Sequence, residues 1–213
     1  MRKPLRDVEG VMAVMPVANI NTDAIIPSAW LRTATADLAK GLFDGHRYDD
    51  AGQERPDFVL NRPPFRAARI LLADENFGCG SSREAAVWAL LQFGVHCVLA
   101  PSFADIFYEN AFRNGLLAGL ITPATLTALQ TLVETGDRPP VFQVDLPTST
   151  ITGPDGSTFG FRVPASRAEA LMRGDDEIAM TLRHQNDIED YYAATRAKSG
   201  WLYSLTANQG NQP

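Results

Sequence analysis

Cysteine and histidine are scarce in this chain: its 213 residues include two of the first and three of the second. Two thiols, Cys79 and Cys97, make no disulfide framework, and a globular chain of this length needs none. The same count argues against a self-contained zinc site or iron–sulfur cluster, which draws on several thiolate or imidazole ligands. His46, His96 and His184 share no metal-ligand spacing. Cations are also short. With 19 Lys and Arg against 25 Asp and Glu the net charge is −6, the wrong sign for a general binder of nucleic-acid backbone. Long apolar runs are missing too. Residues 8–18 are interrupted by Glu9, Gly10 and Pro16, and nowhere do about 20 apolar residues follow one another, so neither a signal peptide nor a membrane span is expected. A reducing cytoplasm suits this cysteine usage.

What is present is the composition of a soluble globular protein, 45% hydrophobic and 21% charged. The length suits one domain over residues 1–205, with a polar tail over 206–213 expected to be disordered. Residues 8–17 read as a strand, and Asn19 to Asp23 as a turn. Residues 28–43 suggest one or two short helices closed by Gly41 or Gly45. Residues 44–65 are polar and Pro-rich, a loop of ~20 residues of the kind that is often functional. A buried strand is expected over 69–74, a helix over 82–93 stopped by Gly94, a strand over 95–100 and a helix over 103–114 stopped by Gly115. That order is the mark of a parallel βαβ unit. A helix over 123–135 opens on Thr122 and Pro123. Short strands are expected over 141–146, 150–152 and 158–163, the last two joined through Pro154-Asp155-Gly156. Helices over 165–173, 177–183 and 187–198 close the chain. The fold class is α/β, with a mostly parallel central sheet and additional antiparallel strands late in the chain.

The most informative segment is Asn76-Phe77-Gly78-Cys79-Gly80-Ser81-Ser82-Arg83-Glu84, between a buried strand and a helix start. Ligands of open α/β sheets bind at the carboxyl ends of the strands. Gly78 and Gly80 permit positive φ and close backbone approach, the helix start offers N–H groups, and Arg83 adds a planar cation suited to carboxylate. Together they form an anion site with the Ser81 hydroxyl at its edge. A plainer reading stands beside it: Ser81-x-x-Glu84 is also a capping box, in which the serine only satisfies backbone donors. The dinucleotide fingerprint is not met, since the third glycine is missing, and the lysine of a phosphate-binding P-loop is absent. Cys79 reads as a small residue packed in a tight loop, Cys97 as core. Phe103, Phe107 and Phe112 fall on helical spacing and read as core; Tyr191, Tyr192 and Trp201 read as packing for the last helix or as a partner surface.

The same nine residues resemble the signature of the small subunits of 3-isopropylmalate dehydratases and are similar to the swivelling domain of aconitases. Asn21-Thr22-Asp23-Ala24-Ile25-Ile26-Pro27 matches the family's earlier motif. Ala100-Pro101-Ser102-Phe103-Ala104-Asp105-Ile106-Phe107, continued by Asn114-Gly115-Leu116-Leu117, matches its later one. One departure is that Ala85 and Ala86 follow Glu84 where the family commonly has a histidine. The resemblance implies a swivelling β/β/α domain that serves as lid to a large subunit. That partner would hold a [4Fe–4S] cluster, and this chain would bind no metal. It implies a hydro-lyase that moves the hydroxyl of a hydroxy-dicarboxylic acid to the neighbouring carbon, in leucine biosynthesis, without nucleic-acid or membrane partners. By the same resemblance Ser81 is the base and Arg83 the carboxylate holder, with Gly80, Ser82, Thr22 and Asp23 lining the cleft. Residues 28–47 would read the substrate's side group, with Leu31, Arg32 and Thr33 as candidates. Small subunits of homoaconitase or of methylated-malate and citraconate dehydratases are alternatives within the class. A stand-alone domain binding an anionic metabolite is the alternative outside it.

Overall fold

The computed structural model describes residues 2–32, 37–81, 83–136 and 139–203. Seven strands form one sheet in the order β4-β3-β2-β1-β5-β6-β7. Its parallel half is β1 (Asp7–Met15), β2 (Ala68–Ala73), β3 (Cys97–Ala100) and β4 (Leu117–Leu120). β2 and β3 are short apolar runs buried almost throughout, as parallel strands covered on both faces require. The antiparallel half is β5 (Val141–Asp145), β6 (Thr150–Thr152) and β7 (Thr158–Gly160), with β5 pairing back onto β1.

The helices follow the punctuation of the sequence. Short α1 (Thr22–Ile25), α2 (Leu38–Gly41) and α3 (Asp44–Arg47) lie between β1 and β2. Then come α4 (Glu84–Phe93) and α5 (Asp105–Asn114), stopped by Gly94 and Gly115 in the left-handed conformation. In α6 (Pro123–Thr135) the Thr122 hydroxyl accepts from the Thr125 N–H at 3.1 Å, and α7 (Ala165–Arg173) ends at Gly174. Units β2-α4-β3 and β3-α5-β4 are parallel crossovers built on one helix each.

Residues 44–65 are not the open loop expected. They are wound around Arg47, which is buried. Its Nε donates to Asn61 Oδ1 at 3.2 Å and its Nη1 to the Ala39 carbonyl at 3.0 Å. The rings of Tyr48 and Phe93 each lie 5.1 Å from the guanidinium carbon. Asn61 returns bonds to the carbonyls of Arg47 at 2.7 Å and Arg55 at 3.0 Å. Carbonyls and aromatic faces thus solvate this buried cation. Strand β4 was not expected. Phe103 also differs: it precedes α5 instead of lying in it.

The chain divides into two compact units, Arg2–Gly174, which carries the sheet, and Met1 with Asp175–Pro213. In the second, α8 (Glu177–Leu182) is capped by Asp176, and α9 (Gln185–Lys198) opens at His184, whose Nδ1 lies 3.3 Å from Asp187. Neither helix contains a buried residue, and Tyr191, Tyr192 and Trp201 are exposed. The tail expected over 206–213 lies outside the described residues. No helix among the described residues is long and apolar enough to cross a membrane.

Candidate active site

The site is built where β1, β2 and β3 give out at their carboxyl ends. Three loops continue the strands and are laced to one another. Gly78 N–H donates to the Ile20 carbonyl at 2.7 Å, and Thr22 N–H to the Cys79 carbonyl at 2.9 Å, which joins the loop after β1 to the loop after β2. Phe77 N–H donates to the Ser102 carbonyl at 3.2 Å, and Ala104 N–H to the Phe77 carbonyl at 3.0 Å, which joins the second loop to the third. Side chains reinforce the lacing: Asn76 Nδ2 donates to Asn19 Oδ1 at 2.7 Å, and Asn76 N–H to the Ser102 hydroxyl at 2.8 Å. Asn19 and Asn76 both have positive φ, which asparagine tolerates better than most residues.

Gly78 fixes the loop from below. Its φ is +79°, and a Cβ there would lie 2.2 Å from the Phe107 ring. Only glycine meets both demands. Phe77 lies edge-on to Phe107 with ring centres 5.2 Å apart, so the loop sits on a packed aromatic floor.

On this base the expected residues converge. The buried Thr22 hydroxyl donates to the Ser81 carbonyl. Arg83 Nη2 lies 2.5 Å from Asp23 Oδ1, and its Nη1 donates to the Ile26 carbonyl at 3.1 Å. Thr22, Asp23, Gly80, Ser81 and Arg83 therefore share one rim. Arg32 is exposed at the end of the 3-10 turn Ser28–Leu31, with no bond to that rim among the described residues. Ser82 and Thr33 lie outside the described residues.

The capping-box reading of Ser81 is not realised. The N-cap of α4 is Arg83, with no side-chain cap. Glu84 Oε1 instead accepts from Asn114 Nδ2 at 2.8 Å, and Asn114 Oδ1 accepts from Trp88 Nε1 at 2.9 Å. The Ser81 side chain is exposed and has no hydrogen-bond partner among the described residues, at the positive end of a ten-residue helix. Sequence reasoning missed the Ile26 carbonyl and the Asn19–Asn76–Ser102 lacing; two asparagines at strand ends were the only available signal.

The chain is similar to proteins of known name. A family model described as the aconitase C-terminal domain matches residues 2–122. The 3-isopropylmalate dehydratase small subunit of Rhodopseudomonas palustris (strain BisA53) is 46% identical over 195 residues, 91% of this chain and 96% of that protein. That of Jannaschia sp. (strain CCS1) is 47% identical over 194 residues, again 91% and 96%. The chain belongs to the family of 3-isopropylmalate dehydratase small subunits. A crystal structure of 3-isopropylmalate dehydratase (leuD) from Methanocaldococcus jannaschii matches with a TM-score of 0.59 at 26% identity, covering 87% of this chain and 99% of that one. The small-subunit family thus accounts for the fold class expected from the motifs.

Membership in the aconitase family implies an iron–sulfur enzyme. The donor set of this small-subunit chain does not fit a cluster. Such clusters are held by cysteine thiolates, commonly four, and the sequence has two cysteines. Cys97 is buried in β3, and burial pushes its thiol far up, away from the thiolate. Cys79 Sγ points at the Asn19 carbonyl, 3.3 Å away. No three Cys, His, Asp or Glu converge among the described residues.

Proposed function

We propose that this chain is the small subunit of a two-chain hydro-lyase, working in the cytoplasm, that interconverts 2-isopropylmalate and 3-isopropylmalate through isopropylmaleate. The observation that carries the proposal is the rim itself: at the carboxyl ends of parallel strands, the Ser81 hydroxyl, without a hydrogen-bond partner among the described residues, stands two positions ahead of Arg83 in the chain. The large subunit would contribute the cluster, and with it Lewis-acid chemistry. This chain's part is to hold and to deprotonate.

Arg83 would bind a substrate carboxylate through the N–H edge of its guanidinium. Asp23 and the Ile26 carbonyl, which already hold that group, keep it pointed. Ser81 Oγ, as its alkoxide, would take the proton from the carbon next to a carboxylate as the hydroxyl leaves the neighbouring carbon; passing that proton on to the departing hydroxide gives water, leaves the double bond of isopropylmaleate and restores the alkoxide. Readdition in the other sense places the hydroxyl on the carbon that had lost the proton. Thr22, through the Ser81 carbonyl, sets the angle of the base. Gly80 and Ser82 would supply backbone N–H groups to the same anion, and Arg32 would read the far end of the substrate.

A serine hydroxyl in water is too weak an acid to serve as its alkoxide. It needs a dry cleft, a nearby cation and oriented dipoles. Ser81 is exposed in the single chain, so the reading requires the large subunit to close over it. The test is reconstitution. The purified chain alone should neither dehydrate isopropylmalate nor hydrate isopropylmaleate, and mixing with the large subunit should restore both. The mixture should prefer isopropylmalate to homoaconitate and citraconate. Full activity of the single chain would overturn the proposal.

A further inference from the structure

The opposite ends of the parallel strands carry a second concave surface. A cleft of about 610 Å³ is lined by the N-terminal arm (Arg2, Lys3, Arg6), the first residues of β1 and β2 (Asp7, Arg69), and His96 ahead of β3. Its size falls in the range of small-ligand sites. Four permanent cations face it against the single carboxylate of Asp7, in a chain whose net charge is −6. Arg2 is committed: its Nη1 donates to the Phe112 carbonyl, and its N–H to the Gly174 carbonyl at 2.9 Å. Lys3, Arg6 and Arg69 form no ion pair among the described residues.

The arm and Arg69 are held in place. Leu5 N–H donates to the Leu171 carbonyl at 2.9 Å, which straps the arm to the end of α7. Arg69 runs its stem across β1 at Gly10, where a Cβ would stand 2.8 Å from its Cβ, Cγ and Cδ. Like charges gathered in one concavity repel unless an anion enters. We propose that this cleft is a binding site for a small molecule bearing two anionic oxygen groups, either a dicarboxylate or a phosphorylated metabolite. The proposal is independent of the hydro-lyase reading.

His96 is a built-in reporter. Burial, then Arg69 and Lys3, hold its imidazole below the ordinary histidine range, and an anion between those cations must raise it. The experiment is NMR titration of the three histidine rings of the full chain, with succinate in one arm and pyrophosphate in the other. The expected result is a saturable shift and a raised titration midpoint at His96, weakening with added salt. A response to succinate alone identifies dicarboxylates, and one to pyrophosphate alone identifies phosphorylated ligands. Arg69→Gln should weaken binding about ten- to a hundredfold, the worth of a charge-assisted hydrogen bond. Lys3→Glu/Arg6→Glu, in exposed positions of the arm, should do the same without change in melting temperature. Arg83→Lys should leave the His96 response intact. No saturation at millimolar anion, or an equal response in the cleft variants, overturns the proposal.

Discussion

Replacing Gly78 by alanine measures how firmly the loop that carries Ser81 is seated. The new methyl meets Phe107 at 2.2 Å from Cγ and 2.5 Å from Cβ, on a backbone at φ +79°. Phe107 cannot retreat, being 2% exposed and packed edge-on against Phe77. The left-handed backbone costs a non-glycine residue about 1–2 kcal/mol, and overpacking costs about 1–3 kcal/mol more, so the total is about 2–5 kcal/mol. Gly52 is the control, with φ +74° and nothing within 4 Å of its would-be Cβ; its alanine variant carries only the conformational part, about 1–2 kcal/mol. In a thermal melt, at about 2–4 °C per kcal/mol for a chain of this size, Gly52→Ala should fall by about 2–8 °C and Gly78→Ala by about 4–20 °C. Urea unfolding should rank them the same way. If the two variants melt together, contact with Phe107 is not what seats the loop, and the reasoning fails.

Three further outcomes follow from the same geometry. Arg83→Lys keeps the charge but loses the fork that meets Asp23 and Ile26, so KM for the dicarboxylate in the reconstituted complex should rise about tenfold; an unchanged KM would remove Arg83 from substrate holding. Thr22→Val deletes a buried hydroxyl's bond to the Ser81 carbonyl and should cost about 0.5–1.5 kcal/mol in urea unfolding, with lower activity of the complex; equal stability would contradict it. His96 is held below the ordinary histidine range by burial and by Arg69 and Lys3, so the unfolded chain takes up its proton first. Stability should therefore fall as pH drops through about 6.5 and level off below the lowered folded value. Melting temperatures of the native chain and His96→Gln across this window test the sign, and an identical pH slope in the two refutes it.

Much of this was legible in the sequence because local signals and the fold agree. Thr122 with Pro123 opens α6, Gly94 and Gly115 close α4 and α5, and the apolar runs of β2 and β3 are buried as parallel strands must be. Strand β4 escaped notice because four residues, one of them Gly119, carry too little pattern. The start of α4 misled for a different reason. Ser81-x-x-Glu84 has the local form of a capping box, but Thr22 holds the Ser81 carbonyl and Asn114 holds Glu84. Tertiary bonds from remote loops outcompeted a local one. The Asp23–Arg83 ion pair likewise joins residues far apart in the chain. The candidate site residues come from ordered motifs, while their contacts became visible only in three dimensions.

Ser81 is proposed as the base. The direct measurement is the steady-state rate of isopropylmaleate hydration and isopropylmalate dehydration by Ser81→Ala reconstituted with the large subunit. Complex formation is checked by gel filtration. Loss of the base should lower kcat about 10²–10⁴-fold with assembly and KM little changed. A Ser81→Ala complex that assembles and turns over at the full rate would contradict it.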